Sequence, residues 1–405
     1  MSETTAVRQA AQTTTFAIIL ALSFSHMLND LMQSLLAAIY PMLKTDFRLD
    51  FWQIGLLTMA FQVTASLLQP AVGYYTDRKP QPYSLSFGMG STFVGLLMLA
   101  YAGHYWLLIV GAAFIGFGSA VFHPEASRIA RLASGGRFGM AQSVFQIGGN
   151  AGTALGPLLA AFIVVPFGQA SVAWFSVIAL VGMVVLWQVG GWYSRERSAA
   201  AKRGASTGPL FRLPRRTVVI ALAALVALTF SKNVYVASLT SYYTFFVIEK
   251  FGVSVQASQL LLFLFLGASA AGLLLGGFLG DKVGARTVIW FSILGALPFT
   301  LALPYADLMW TAVLTVLIGL IMSSAFPAII VFAQELVPGR VGMIAGIFFG
   351  FAFGMGGLGA AVLGVVADWK GIAFVYSVCS FLPLIGLAAI FLPSRAALAK
   401  AEAPA

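Results

Sequence analysis

Long apolar stretches recur along the whole chain, and they limit its possible folds more than any other feature of the sequence. An α-helix needs about 20 apolar residues to cross a bilayer, and most of these stretches reach that length. Charged and turn residues separate them, which predicts helices at 15–43, 51–75, 83–103, 105–131, 138–166, 171–193, 216–248, 256–280, 286–304, 306–334, 339–367 and 371–393. Of the 405 residues, 60% are hydrophobic and 9% charged, so we expect an all-α membrane protein with twelve transmembrane helices in two six-helix bundles.

The stretch between the sixth and seventh helices differs from the rest because it is basic and poor in large apolar residues. Its charged and helix-breaking residues are Arg195, Glu196, Arg197, Lys202, Arg203, Arg212, Pro214, Arg215 and Arg216. We therefore predict an N-terminal half at 1–193, a connector at 194–216 and a C-terminal half at 217–405. The polar first dozen residues lack the charged-then-apolar pattern of a cleaved signal peptide, so none is expected.

The basic loop residues collect on one predicted face of the membrane. That face holds Arg8, Arg78, Lys79, Arg128, Arg131, Arg137, the connector cluster, Lys282, Arg286, Arg340, Arg395 and Lys400, whereas the other face holds Lys44, Arg48, Lys250 and Lys370. Cytoplasmic loops carry the excess of Lys and Arg, so both termini and the connector are predicted to be cytoplasmic. Most of the net charge of +10 lies beside helix ends, which argues against a nucleic-acid partner.

The two halves repeat one another at a nearly constant spacing. The matched pairs are GYYTDR at 73–78 with GFLGDK at 277–282, GRFGM at 136–140 with GRVGM at 339–343, and Pro124 with Pro327. Their offsets are 204, 203 and 203 residues. Duplicated halves are typical of secondary transporters, in which the substrate site lies near the membrane midplane between the repeats.

The repeated motifs resemble those of a known superfamily. The loop pattern Gly-x-x-x-Asp-Arg/Lys resembles the cytoplasmic loop signature of the major facilitator superfamily; the copy at 277–286 is the fuller one, and the first copy departs from the pattern at Pro80. GTALGP at 152–157 resembles the signature of the superfamily's antiporters. Longer strings resemble the fosmidomycin-resistance transporters: SHMLNDLMQSLLAAIYP from Ser25, VFHPEASRIARLASGGR from Val121, QSVFQIGGNAG from Gln142 and FFGFAFGMGGLGAAVLG from Phe348. The resemblance implies a monomeric exporter of a small antibiotic, driven by proton entry across a bacterial inner membrane.

Charged side chains inside the predicted spans are the strongest functional candidates, because a charge in the bilayer core costs a few kcal/mol. Asp30 lies near the middle of the first helix. His26 precedes it by four residues and therefore shares its face, and Gln33 continues that face. Asp30 is either a structural ion-pair partner or a carrier of the coupled proton. His26 and Gln33 are predicted to contact substrate.

Lys232 holds the corresponding central position in the seventh helix. The strings Phe24-Ser25-His26 and Phe230-Ser231-Lys232 match between the halves, and Tyr235 follows one turn later. Lys232 either neutralises Asp30 or anchors an anionic substrate, with Tyr235 as a further contact. We expect Asp30 and Lys232 to border one shared central cavity.

The fourth helix supplies a second set of ionisable residues. Glu125 and Arg128 are three residues apart and can pair along the helix. They form either a structural pair or part of a route, with Glu125 carrying protons and Arg128 contacting substrate. His123 is either a neutral buried residue or a group that exchanges protons near neutral pH.

The fifth helix carries a polar stripe and a stripe of small residues. Gln142, Gln146 and Asn150 recur every four residues and can bind a ligand or bond to other helices. Gly152, Gly156 and Pro157 lie on a face that allows close packing at a moving interface, so we predict a gating role for them.

The repeated loop motif suggests a cytoplasmic gate. Asp77, followed by Arg78, is predicted to lie against the N-terminus of the eleventh helix, and Asp281, followed by Lys282, against that of the fifth. A carboxylate at a helix N-terminus gains about 0.3 to 1 kcal/mol when exposed. Protonation or movement of the helices would release these contacts.

Other classes of function find little support in the sequence. Cys379 is the only cysteine, and the three histidines are scattered, so neither a metal site nor a cofactor is expected. No nucleotide loop or nucleophile–base set indicates an enzyme. The sequence therefore favours a proton-coupled antiporter that exports a small anionic antibiotic. The alternative is a proton symporter that takes up an organic anion or sugar phosphate.

Overall fold

The structure is a computed structural model of the chain, and it describes residues 14–202 and 213–394. Over these residues the protein is built of helices joined by short turns, without a strand. Eleven helical stretches among them are long and apolar enough to cross a membrane, and a further apolar helix, Ser84–Ala100, has 17 residues. The predicted all-α fold with twelve transmembrane helices is therefore confirmed.

The first half contains six of these helices. They are α1 (Phe16–Ala38), α2 in two segments (Phe51–Leu67 and Gln69–Arg78), α3 (Ser84–Ala100), α4 (Tyr105–Ala133), α5 (Phe138–Leu159, followed by a π-helical turn at Ala160–Val164) and α6 (Phe175–Lys202). The second half contains the other six. They are α7 (Arg215–Phe251), α8 (Val255–Val283), α9 in two segments (Ala285–Leu294 and Leu297–Ala302), α10 in two segments (Leu308–Ser323 and Ala325–Leu336), α11 (Val341–Lys370) and α12 (Ile372–Cys379, followed by a 3₁₀ helix at Leu382–Phe391).

Several ends differ from the predicted ones. The first helix was expected to reach residue 43, but α1 ends at Ala38 and a separate short helix, Tyr40–Asp46, follows it. That helix has a proline in its first turn, where the missing amide hydrogen cannot continue the preceding helix. The last helix loses regular α geometry after Cys379, and the 3₁₀ segment that follows also has a proline in its first turn.

The chain divides into two compact units, Met1–Ala205 and Ser206–Ala405. Residues 194–202 of the predicted connector continue α6, which ends at Lys202, and α7 begins at Arg215. Arg203 and Arg212 lie outside the described residues, as do Arg8, Arg395 and Lys400. The predicted boundaries of the connector therefore stay a prediction.

The glycines that open the repeated GRFGM and GRVGM motifs have the same backbone role in both halves. Gly136 has a φ of 88° and Gly339 a φ of 81°, a region that side chains with a Cβ rarely adopt. Each glycine turns the chain just before a long helix, α5 in the first unit and α11 in the second. The equivalent geometry supports the internal repeat at the level of the backbone.

Helix α5 packs closely against α1 in the first unit. A Cβ added at Gly148 would lie 1.9 Å from the carbonyl oxygen of Ser23, and one at Gly152 would lie 2.1 Å from that of Met27. The two backbones can approach this closely only because these positions lack side chains. The contact brings the centre of α5 against the face of α1 that carries the buried polar residues.

Candidate functional site

Three buried side chains meet between α1 and α4. The Nε2 atom of His26 lies 3.3 Å from Oδ2 of Asp30, and Nε2 of His123 lies 3.6 Å from Oδ1. The two Nε2 atoms are 3.2 Å apart. Each of these residues is at most 8% exposed. We call His26, Asp30 and His123 the histidine–aspartate cluster.

In each of the two histidine rings, a hydrogen bond to a backbone carbonyl indicates that Nδ1 is protonated. Nδ1 of His26 lies 2.8 Å from the carbonyl oxygen of Phe145 on α5, and Nδ1 of His123 lies 3.0 Å from that of Ser119. A carbonyl oxygen can only accept a hydrogen bond, so both Nδ1 atoms carry the donated hydrogen. In a neutral ring with this tautomer, Nε2 is an acceptor with a lone pair.

The geometry of the cluster therefore calls for one additional proton. Two Nε2 lone pairs at 3.2 Å would repel each other, whereas a proton on one of them creates a hydrogen bond to the other or to Asp30. One imidazolium and one carboxylate give the cluster a net charge of zero. Without that proton the cluster carries one negative charge in a buried environment, where an unbalanced charge is costly.

Neighbouring residues hold the cluster in place. The side-chain amides of Asn29 and Gln33 each donate to Oδ1 of Asp30 over 3.0 Å. The ring of Phe145 stacks on His26 with 4.2 Å between the centroids, and the ring of Phe122 lies 5.5 Å away. Polar groups thus surround the carboxylate and aromatic rings surround the imidazoles. Gln33, predicted to contact substrate, contacts Asp30.

Two of the three histidines, His26 and His123, are close together in space. His26, Asp30 and His123 each offer one ligand atom, and these atoms lie within 4.8 Å of one another, so a small cation of another kind would also find three donors there. The sequence suggested that the histidines are too scattered for a metal site, but His26 and His123, 97 positions apart, meet across two helices. A shared proton accounts for the close approach of their Nε2 atoms.

Glu125 and Arg128 form a second buried polar group, at the end of α4 that leads to the loop before α5. Nη2 of Arg128 lies 2.5 Å from Oε2 of Glu125, and Nη1 donates to the carbonyl oxygen of Thr76 over 2.8 Å. Ser84 donates to the same Glu125 oxygen over 3.2 Å, and the Arg128 guanidinium lies 5.3 Å from the ring of Tyr193. The pair thus joins α2, α3, α4 and α6, which is the arrangement of a structural junction.

The polar stripe of α5 is divided in the structure. Gln142 is buried, and its Oε1 accepts a hydrogen bond of 2.9 Å from Ser127 on α4. Gln146 is buried, and Asn150 is exposed. Gln142 therefore forms the interhelical bond that was one of its two predicted roles.

Lys232 occupies the comparable place in the second unit. Its Nζ lies 4.9 Å from the centroid of the Phe326 ring on α10, and no carboxylate in the described residues forms an ion pair with it. Tyr235 is 1% exposed and belongs to the aromatic core of the unit with Tyr243 and Tyr376. Its ring therefore packs within the unit, its hydroxyl has no hydrogen-bond partner among the described residues, and its predicted contact with substrate stays a prediction.

The internal repeat relates the two sites. His26 aligns with Lys232 through the matching Phe-Ser strings, and His123 aligns with Phe326 because each precedes the repeated proline. Contacts between α1 and α4 in the first unit and between α7 and α10 in the second thus involve equivalent positions. The first unit has a pair of histidines there, and the second has an amine over an aromatic face.

The predicted gating residues lie where the repeat places them along the chain. Asp77 and Arg78 end α2, and Asp281 and Lys282 lie in the last turn of α8. Their proposed contacts would join the two units and stay predictions. Within the first unit, Gly156 lies against α1, where a Cβ would be 1.9 Å from Oγ of Ser34. Pro157 precedes the π-helical turn that begins at Ala160.

Gly149 is the position of α5 that most directly shapes the cluster. A Cβ there would lie 2.5 Å from Nε2 of His26 and 2.7 Å from Oδ2 of Asp30. Gly149→Ala is therefore expected to displace both groups, destabilise the protein by about 1 to 3 kcal/mol and abolish proton-driven transport. Transport assays in proteoliposomes and unfolding in detergent measure the two effects.

The matched control for this substitution is Gly354→Ala in α11. A Cβ at Gly354 would meet nothing within 4 Å, so transport and stability should both be retained. Equal behaviour of the two variants would show that the close approach of α5 to the cluster is unimportant.

Sequence reasoning missed the residues that orient the cluster. Ser119 is one turn before His123, so its spacing was a usable signal. Phe145 acts through its backbone carbonyl, which no side-chain pattern reveals. Phe326 could have been found from its alignment with His123 in the repeat.

Comparison with known proteins agrees with the repeated helical fold. The family model of the Major Facilitator Superfamily matches residues 22–260 and 233–405. The fosmidomycin resistance protein of Escherichia coli (strain K12) is 57% identical over 382 residues, which cover 94% of each chain. An uncharacterised MFS-type transporter of Bacillus subtilis (strain 168), YfnC, is 39% identical over 95% of each chain.

Solved structures show the same fold at much lower identity. The transporter FucP in its outward conformation has a TM-score of 0.72 and 18% identity, covering 95% of this chain and 100% of that one. The human organic anion transporter MFSD10 has a TM-score of 0.72 and 16% identity with the same coverage. At these identities the likeness concerns the fold alone.

Proposed function

The chain belongs to the major facilitator superfamily, and from that premise we propose that it exports a small anionic antibiotic of the fosmidomycin kind in exchange for protons. It is a multi-pass membrane transporter and not an enzyme. The name of the 57% identical relative, a fosmidomycin resistance protein, supports a role in drug resistance. A transporter that exports the drug gives resistance by its net removal from the cytoplasm, and an inward proton gradient drives that removal only when drug and proton move in opposite directions.

The histidine–aspartate cluster is the observation that carries the proposal of proton coupling. Its two Nδ1 atoms donate to carbonyls, and its two Nε2 atoms face each other at 3.2 Å. This arrangement suits the binding of one proton, with Asp30 as its counter-charge. We assign the coupled proton to this cluster and the structural junction to Glu125 and Arg128.

Proton occupancy would control the packing of α1 against α4 and α5. With the proton bound, His26 and His123 attract each other and α1 is held against α4. Without it, the two lone pairs repel and the helices separate more easily. Such a link lets the proton bias one conformation of an alternating-access transporter without touching the drug. The drug would bias the other conformation, so the two would cross the membrane in turn.

Lys232 supports an anionic substrate, because its amine has no carboxylate partner among the described residues and lies over the Phe326 ring. Phosphonate and carboxylate oxygens form charge-assisted hydrogen bonds with an ammonium group. A hydrophobic cation would be repelled at the same place.

Lys232→Gln is expected to weaken drug binding while leaving the bound proton in place. A hydrogen bond to a charged group is worth about 1.5 to 3 kcal/mol, which corresponds to a rise in the apparent Kd of about 10- to 100-fold. Binding of radiolabelled drug to the purified protein measures the change. The control is Lys250→Gln, which removes an amine at the end of the same helix. The Lys250 amine donates to the carbonyl oxygens of Pro304 and Ala306, each 2.7 Å away, and is therefore already bound within the protein. Similar losses in both variants would contradict a specific anchor.

Proteoliposomes with an imposed pH gradient test the function itself. Fosmidomycin trapped inside the vesicles should leave them when the outside is acidic, because protons then enter, and should be retained when the gradient is reversed. A proton flux in the direction opposite to the drug should accompany it. Drug movement that ignores the gradient would contradict coupled antiport.

One observation favours the second candidate, a proton symporter for an organic anion or sugar phosphate. The cluster without its proton is negatively charged, so electrostatics alone would favour binding an anion together with a proton. Symport would reverse the result of the vesicle experiment, because drug and proton would then move in the same direction.

We further propose that the protein works as a single chain in the bacterial inner membrane with both termini in the cytoplasm. The supporting observation is the position of four basic residues. Arg78 and Lys79 lie at the C-terminal end of α2, Arg131 lies in the last turn of α4, and Arg137 lies just before α5. The α2–α3 and α4–α5 loops follow even-numbered helices and so lie on the same side of the membrane, which the excess of Arg and Lys marks as cytoplasmic. Reporter fusions at the N- and C-termini test the orientation.

A further inference from the structure

A cavity in the first unit lies apart from the histidine–aspartate cluster and serves no step of the proposed transport cycle. It has a volume of about 590 Å³ and lies between the second segment of α2, the start of α3 and the middle of α4. Its walls include Tyr75, Tyr83, Phe87, Phe117 and Val121. Pockets of roughly 300 to 1,000 Å³ are of the size that holds a small ligand.

The cavity opens on the surface of the unit through aromatic side chains. Phe87 is 70% exposed and Tyr75 is 53% exposed. Tyr83 stacks on Trp187 of α6, with 4.3 Å between the ring centroids. Tyrosine and tryptophan rings of this kind gather where a membrane protein meets the headgroup region of the bilayer.

Two polar side chains in the cavity wall are bound to the protein. Ser84 donates to Glu125, and the hydroxyl of Thr76 donates to the carbonyl oxygens of Val72 and Gly73. Most other lining residues are apolar or aromatic, and Gln81 lies in the loop at the rim. The part of an occupant that enters this cavity therefore mainly contacts hydrocarbon and aromatic rings.

The rim of the cavity, in contrast, is basic. Arg78 and Lys79 end α2 and are exposed. Arg197 of α6 donates to the carbonyl oxygen of Pro80 over 3.3 Å. Its guanidinium therefore lies beside the loop between α2 and α3, and the residues that follow Pro80 in this loop line the cavity. Asp77 and Glu196, the acids nearest in sequence, are half-buried, whereas the three basic groups are exposed. Basic groups beside the ends of membrane helices attract anionic lipid headgroups.

We propose that this cavity binds one anionic phospholipid, with an acyl chain against the aromatic wall and the phosphate beside Lys79 and Arg197. A mostly apolar interior, an aromatic opening and a basic rim match the three parts of such a lipid. Neither the histidine–aspartate cluster nor Lys232 lines the cavity, so we propose the lipid as a bound partner and not as a substrate.

Native mass spectrometry of the full chain in detergent, titrated with phosphatidylglycerol or phosphatidylcholine, tests the proposal. We expect one phosphatidylglycerol to be retained with an apparent Kd at least about tenfold lower than that of phosphatidylcholine, because only the former has a net negative headgroup. Equal retention of the two lipids by the wild-type protein would overturn the proposal.

Two variants separate the headgroup from the acyl chain. Lys79→Gln combined with Arg197→Gln should remove the preference for phosphatidylglycerol while leaving weak binding of both lipids. Ala71→Phe, which fills the cavity, should abolish the single tight site. Ala271→Phe, an equal change at an exposed alanine of α8, is the control and should bind as the wild type does.

The test of the lipid site does not depend on the folding of any one variant. A melting temperature measured for each variant shows whether Ala71→Phe folds. If it does not fold, the double variant Lys79→Gln/Arg197→Gln, whose substitutions are at exposed positions, tests the site alone. Unchanged phosphatidylglycerol binding in the double variant, or in a folded Ala71→Phe protein, would overturn the proposal.

Discussion

Replacing Asp30 with asparagine is expected to reduce proton-driven transport to the level of protein-free vesicles while the protein stays folded. The amide has nearly the volume of the carboxyl group and can still accept the hydrogen bonds of Asn29 and Gln33. It lacks the negative charge that balances an imidazolium between His26 and His123. The bound proton would then leave an unbalanced positive charge in a buried site, so the cluster should lose it.

The measurement compares two modes of transport in the same proteoliposomes. Gradient-driven efflux should disappear, whereas exchange of labelled for unlabelled drug across the membrane should persist, because exchange needs no net proton movement. Asp307→Asn is the control, since Asp307 is an exposed helix cap whose side chain accepts from the amide of Trp310, and asparagine caps helices equally well. Normal gradient-driven efflux by Asp30→Asn would remove Asp30 from the coupling step.

Arg128→Ala is expected to cause the largest loss of stability among single substitutions of the first unit's polar residues. The change leaves Glu125 buried without its counter-charge and removes the hydrogen bond to Thr76. Breaking one side of a buried ion pair costs about 3 to 5 kcal/mol. Unfolding by denaturant in mixed micelles measures the apparent free energy.

A second substitution tests whether the loss comes from the stranded acid. Adding Glu125→Gln to Arg128→Ala should recover part of the lost stability, because the double variant buries no unpaired charge. Arg137→Ala is the matched control, since Arg137 is exposed at the start of α5 and should change stability by less than about 0.5 kcal/mol. If Arg128→Ala and Arg137→Ala had equal free energies of unfolding, the junction of four helices would not contribute to stability.

Much of the fold could be predicted because hydrophobicity and backbone chemistry act locally. Twelve apolar segments predicted the membrane helices, and a bilayer admits few other structures because every buried backbone group must find a partner within its helix. The paired motifs indicated the repeat, and positive φ angles at Gly136 and Gly339 explain why glycine stands in both copies. The end of α1 was less predictable, because proline only biases where a helix stops.

The site was predictable one helix at a time. His26 and Asp30 share a face because they are four residues apart, and Glu125 pairs with Arg128 across one turn. The contact of His123 with His26 joins positions that nothing in the local pattern connects. The structure packs Tyr235 in the aromatic core of the second unit, and its predicted contact with substrate stays a prediction. The shared cavity of Asp30 and Lys232 stays a prediction, because the two residues belong to different units.

The sequence by itself determined that this chain crosses a membrane twelve times, in two related halves, with a few ionisable groups left in the bilayer. Those features follow from the free-energy cost of exposing backbone polar groups and charges to lipid. Each segment must avoid that cost through its own residues, so its sequence alone reveals it. Only the tertiary structure decided which of these groups meet. The contacts of about 3 Å that His26 makes with His123 and with the carbonyl of Phe145 depend on how closely three helices pack, and that distance is a property of the assembled bundle.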